Sequence, residues 1–210
     1  MKIITFILMI LIFGSFMSGN YSPYHKLPNT KSDTLNVAYT YWWPTGGPFV
    51  GECGDSYSLV FTGTITKLYN TLIPNTTRDT TTVLYTPQKG IIKINEMKYK
   101  KNPDKAYKKS DGKCYNGELF FSSDCFYESG LKEGDKVIVF IYSYEGEYCI
   151  PGQSILKINN FDDPIVLSID KYIKYDYDPL SIKDDLNAWK KYNLDYALKQ
   201  IIDCRLSIKK

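Results

Sequence analysis

Histidine is nearly absent from this 210-residue chain: His25 is the only one, and it lies in an irregular, proline-containing stretch. No two of the five cysteines stand as C-x-x-C. Together these absences argue against a structural zinc site, which needs four closely spaced nitrogen or sulfur ligands. They also argue against a cysteine nucleophile, because a thiol needs a nearby base and the chain offers a single imidazole. A surplus of one charge is missing too. Lysine and arginine number 26 against 23 acidic residues, for a formal net charge of +3, which points to neither nucleic acid nor a membrane surface as the main partner. No internal repeat is visible, and after the N-terminus no second long apolar run occurs.

What is present begins with MKIITFILMILIFGSFMSGN: one lysine, an apolar core from Ile3 to Phe13, then small and polar residues. This is the layout of a secretory signal peptide over residues 1–19, its core too short to span a bilayer comfortably. The expectation is an exported chain, secreted or held in the periplasm or at the cell surface, with no membrane span after cleavage. Residues 20–48 carry proline and polar residues without a sustained period and read as an extended lead-in segment. Tyrosine is unusually abundant at 19, beside 10 phenylalanines and 3 tryptophans. Such aromatic richness favours sheet.

From Ser56 onward alternating stretches predict strands. They fall at Tyr57 to Leu68 with a bend at Gly63, Thr81 to Tyr85, Gly90 to Tyr99, Glu118 to Ser122, Lys136 to Tyr144, Ser154 to Ile158 and Ile165 to Ile169. Near-helical spacing of Ile182, Leu186, Trp189, Leu194, Ala197, Ile201 and Cys204 predicts a C-terminal helix over about 182–205. Ser181 and Asp184 would form its capping box, and Asn193 would kink or split it. Many strands followed by a helix argue a mainly β domain over residues 49–207, as a small barrel or sandwich.

Several candidate sites have a plain structural alternative. Trp42 and Trp43 could form an aromatic platform for a sugar or peptide, or could pack over an open end of the barrel. Seven lysines between Lys98 and Lys113 read as a solvated loop. Asp162, Asp163, Asp176 and Asp178 lack the spaced oxygen ligands of a calcium loop and read as turn or helix-entry residues. No carboxylate pair stands out for acid–base catalysis, and no cofactor is implied. In an exported chain the cysteines default to disulfides, with connectivity that spacing alone leaves open.

Cys53 before the strand in CGDSYSLVFTGTITKLY, a cysteine in SSDC, the turn and strand LKEGDKVIVFIYSY, then EYCIPGQSIL and a terminal IIDC resemble, in order and spacing, the netrin-like fold. The similarity is to tissue inhibitors of metalloproteinases and their bacterial look-alikes. That resemblance implies a five-stranded OB-like barrel with packed helices. It implies a Cys53 to Cys204 disulfide, worth up to about 5 kcal/mol by chain entropy. Cys125 and Cys149 match cysteines that, in the animal inhibitors, bond to an N-terminal Cys-x-Cys. This chain has none, so the expectation is that they pair with each other and that Cys114 stays a free thiol. Without that terminus the zinc-chelating mode of inhibition is not carried over. The implied role is non-enzymatic binding of a protein or glycan outside the cytosol; a protease inhibitor acting through another edge and a secreted enzyme are the alternatives.

Overall fold

The computed structural model describes residues 34–41, 49, 57–76, 83–100, 118–127, 129–144 and 147–208. Cys53, Cys114, Trp42 and Trp43 lie outside them. The described chain is mainly β, with its helices gathered at the C-terminal end. Its nine strands are β1 (Thr34–Asn36), β2 (Tyr57–Thr71), β3 (Asn75–Thr76), β4 (Val83–Tyr85), β5 (Gln88–Lys100), β6 (Phe120–Ser123), β7 (Lys136–Tyr144), β8 (Glu147–Cys149) and β9 (Ile155–Ile158). Seven of them form one sheet in the order β1-β6-β5-β2-β7-β8, with β9 also on β7, while β3 and β4 pair as a separate arm. All these pairings are antiparallel except β1 on β6.

β7 reads KVIVFIYSY because it is buried on both faces. Val137, Val139 and Ile141 point into a core shared with Leu59, Phe61, Ile65, Ile92 and Phe121. Ile138, Phe140 and Tyr142 point the opposite way, into a second core built with the helices. Strand alternation thus produces an unbroken apolar run wherever both sides are covered.

Beside β7, β2 runs for 15 residues and changes register with β5 at four places. Gly63 lies at one of them. A Cβ there would sit 2.3 Å from Ile92 Cγ2 and 2.7 Å from the Lys93 carbonyl oxygen. The bend expected at Gly63 is therefore a point of close strand contact that only glycine permits.

The helical end departs from expectation in three ways. Residues Ile165 to Ile169, expected as a strand, belong to helix α1 (Pro164–Lys174). Ile165, Val166, Ile169 and Tyr172 share its buried face, a helical spacing that a short apolar run conceals. The entry signal is Asp163, whose carboxylate accepts from the Ile165 amide, followed by proline at the first turn. Next, the predicted single helix is three pieces: a 3-10 turn (Pro179–Asp185), α2 (Leu186–Lys190) and α3 (Asp195–Ile208). Asn193, at a φ of 57°, splits α2 from α3. Finally, no Ser181 capping box forms, because Pro179 starts the helical turn earlier and Asp178 caps it through the Leu180 amide at 3.1 Å. Asp163 and Asp178 are thus helix-entry residues, as their sequence context suggests.

Trp189 is the centre of the helix-side core. It is fully buried, its Nε1 donates to Ser168 Oγ at 3.0 Å, and the Phe49 ring meets it edge-on at 4.7 Å. Lys98 joins β5 to α1 through Asp170 at 3.0 Å and also pairs with Glu96 of its own strand at 2.9 Å. Burial disfavours its charge, but the two carboxylates outweigh that and hold its pKa above the ordinary lysine value.

Among the described residues the sheet does not close into a barrel along its strands. Its outer members meet only where Tyr39, just beyond β1, forms an isolated parallel bridge with Ile150, just beyond β8. Residues 34–39 of the lead-in segment are thereby joined to the sheet.

Replacing Gly63 by alanine is expected to cost about 1–3 kcal/mol, because strand backbone must shift to admit the Cβ. Urea unfolding should show a lower midpoint with an unchanged slope. An unchanged midpoint would contradict the close contact.

Candidate functional site: a tyrosine-lined cleft at the open seam

The site is assembled where the lead-in segment crosses the sheet seam. Val37 N–H donates to the Ser122 carbonyl at 3.0 Å, and Tyr39 N–H to Asp124 Oδ1 at 2.7 Å. Then Thr40 N–H donates to the Ile150 carbonyl at 3.1 Å, and Ile150 N–H returns to Thr40 Oγ1 at 3.1 Å. Four hydrogen bonds thus tie a segment without cysteine to both sides of the seam.

This route separates the two cysteines expected to pair. Cys125 follows Asp124 and packs against the sheet-face core; Cys149 precedes Ile150 and faces the helix-side core. Both are free thiols. The expected Cys125 to Cys149 bond is therefore corrected: the two thiols serve different cores, with Tyr39 and Thr40 bonded between their neighbours. Cys204, half-buried in α3, is disulfide-bonded.

Tyr39 and Tyr41 carry the segment into an aromatic cluster with Tyr85 of β4. The Tyr39 ring meets Tyr85 edge-on at 5.2 Å, and Tyr41 stacks on it at 5.2 Å and 17°. Beside them opens a cleft of about 650 Å³. Its walls are the arm residues Val83 to Thr86, the turn after β6 with Cys125, Tyr127 and Ser129, and the run Pro151 to Lys157 with Tyr192. Gln153, at a φ of 57°, shapes the turn that leads into β9. Val83 is 57% exposed, Tyr127 43% and Leu84 40%, so large apolar side chains face solvent together here.

The described lining of the cleft is mostly apolar, aromatic and neutral polar. Among the described lining residues Lys157 alone carries a charge, and its Nζ sits 2.7 Å from Asp135. Burial pushes the Cys125 thiol up to about 12, with the Ser123 hydroxyl opposing and the Asp124 charge reinforcing the rise. Burial also raises Tyr85, helped by Asp124 and opposed by the Asn75 side chain. Cys149 is likewise raised, by burial first. At neutral pH both thiols keep their protons. Among the described residues no three His, Cys, Asp or Glu side chains converge as a metal site.

The tyrosines escape sequence reasoning. Trp42 and Trp43 are the conspicuous aromatics of the segment, while the adjacent Tyr39 and Tyr41 look like ordinary strand tyrosines. Their partner Tyr85 is more than forty positions away, and only the arm brings it over. The available signal is the turn sequence PGQS shortly after Cys149, which marks a loop able to shape a cleft.

Iodoacetamide labelling at pH 8 should modify Cys125 about a thousandfold more slowly in the folded chain than in urea, since thiolate is the reacting form. The folded thiol keeps its proton where the unfolded one loses it. Its contribution to stability is therefore complete below about pH 9 and is lost as pH rises toward about 12. Equal labelling rates in peptide-resolved mass spectra would refute the buried, protonated thiol. No family model, no curated protein and no solved structure matches this chain.

Proposed function

We propose that this chain is an exported, non-enzymatic binding module of netrin-like OB type, taking an extracellular or periplasmic protein or glycan in the tyrosine-lined cleft. The observation that carries the reading is the cleft itself: apolar and aromatic walls, a few neutral polar groups, Lys157 as the one charge among the described lining residues, and the buried Cys125 thiol. Binding sites have this composition, whereas catalytic sites gather titratable groups with opposed environments. The OB assignment draws support from the strands β6, β5, β2, β7 and β9, five neighbours in one sheet, since OB folds are five-stranded and partly open. The netrin-like assignment draws on the lead-in segment, which runs between the neighbours of Cys125 and Cys149, where the animal inhibitors tether their Cys-x-Cys.

That same route favours a second reading, protease inhibition through the rim near Tyr39 and Tyr41. The segment there holds Val37, Tyr39 and Thr40 and no cysteine, so zinc chelation by a terminal cysteine is not part of it. Nanomolar inhibition of a secreted metalloprotease panel by the processed protein would favour this reading over the plain binding module.

Biotinylated full-length mature protein, presented to an oligosaccharide array and to a random dodecapeptide display library, tests the primary reading. Ligands recovered from either should lose at least tenfold in affinity when Tyr127→Ala and Leu84→Ala are combined, with the melting temperature retained because both side chains lie at the surface, outside the two cores. Recovery of no ligand from either collection would overturn the reading.

The family assignment carries a separate expectation, that Cys204 is joined to Cys53. Non-reducing peptide mapping should yield that linked pair. A linkage of Cys204 to Cys114 instead would undo the netrin-like assignment.

A further inference from the structure

If the cleft is a binding site, as proposed for the module as a whole, the class of its ligand is written in the hydrogen-bond register of its β9 wall. β9 pairs with β7 through Ile158 opposite Lys136, Lys157 opposite Val137, Leu156 opposite Ile138 and Ile155 opposite Val139. Phe140 N–H donates to the Ser154 carbonyl at 2.9 Å. In an antiparallel pair hydrogen-bonded residues alternate with non-bonded ones. Residues 154, 156 and 158 therefore turn their amides toward β7, and Ile155 and Lys157 turn theirs outward. Tyr192 verifies the direction, because its hydroxyl donates to the Lys157 carbonyl at 2.7 Å from the side away from β7. With that carbonyl occupied, the outward groups directed at the cleft are the Ile155 N–H, the Ile155 carbonyl and the Lys157 N–H. Donor, acceptor and donor follow one another along an edge of four residues, about 13 Å at strand rise.

Across the cleft, and among the described residues, β4 is also paired on one side alone, by β3. Two strand edges and a set of apolar and tyrosine side chains thus border one space. The chemistry favours a main chain over a sugar. Tyr85, the ring at the centre of the aromatic cluster, is already stacked by Tyr41 and met edge-on by Tyr39. A sugar gains its affinity from a free ring face and from carboxylates or amides that clasp hydroxyls, and the described lining residues supply Gln153 as their sole side-chain amide and no carboxylate. An extended peptide needs a repeating backbone edge with pockets for alternate side chains, which is what β9 and the arm present. The edge is short, bears Lys157 and is capped at one end by Tyr192, features that restrain unspecific strand pairing.

We propose that the outer edge of β9 is a strand-addition site, at which an uncharged, apolar extended segment of a partner protein pairs with Ile155 and Lys157 and rests its side chains on Val83, Leu84 and Tyr127.

Proline at an outward position tests this, because it deletes an outward N–H and leaves the bonds to β7 in place. The full-length mature protein and its Ile155→Pro, Lys157→Pro and Ile155→Val variants are compared against peptides selected from a random dodecapeptide display library and against an oligosaccharide array. Selected peptides should bind the parent and Ile155→Val alike and lose at least tenfold in affinity for whichever proline variants retain the parent melting temperature. Should neither proline variant fold, Val83→Lys with Leu84→Lys, on the exposed arm, should produce the same loss. Unchanged affinity in the folded variants overturns the proposal. Binding of oligosaccharides but no peptides overturns it and leaves the binding-module reading intact; binding of neither overturns both. A parent dimer in light scattering that Ile155→Pro converts to monomer also overturns it, since the occupant would then be a second copy.

Discussion

The double burial of β7 is the constraint on which the rest depends. One strand supplies Val137, Val139 and Ile141 to the sheet-face core and Ile138, Phe140 and Tyr142 to the helix-side core. Neither core exists without it, and their separation is its thickness. Because β2 lies along one edge of β7, and β8 and β9 share the other, the strand also sets where the second edge must break. The break is the turn from Ile150 to Ser154, and the cleft forms beside it. A single hydrophobic strand thus determines both where stability resides and where the surface opens.

Around that opening, hydrogen bonds hold residues 37–40 against the sheet. Tyr39 and Thr40 are tied to Asp124 and Ile150, next to the two free thiols. Such bonds are individually modest, near ~1 kcal/mol each and more where a carboxylate accepts. They are also insensitive to reduction. Holding the segment this way leaves Tyr39 and Tyr41 directed at Tyr85, so the residue hydrogen-bonded to Asp124, Tyr39, also forms part of the cleft wall.

Much of the strand layout is legible in the sequence because strand periodicity is local. Tyr57 to Leu68, Gly90 to Tyr99, Lys136 to Tyr144 and Ser154 to Ile158 all appear as strands within a few residues of their expected bounds. The helix over Pro164–Lys174 is hidden because a short apolar stretch, Ile165 to Leu167 and Ile169, satisfies strand and helix alike, and an aspartate such as Asp163 can equally be a turn residue, a ligand or a cap. The Cys125 to Cys149 pairing fails for a different reason: the two thiols pack into different cores, with Tyr39 and Thr40 bonded between their neighbours.

By itself the sequence determined the mainly β character, a bend at Gly63, an interruption at Asn193 in the C-terminal helical stretch and a chain with a single histidine. All but the last follow from the preferences of a residue and its near neighbours. Only the tertiary structure decided that the sheet stays open among the described residues, that Cys125 and Cys149 face different cores, and that Tyr39, Tyr41 and Tyr85 meet at a cleft bordered by an outward strand edge. Those outcomes depend on which distant segments share a face, and that is settled by packing across β7, where no local pattern reaches.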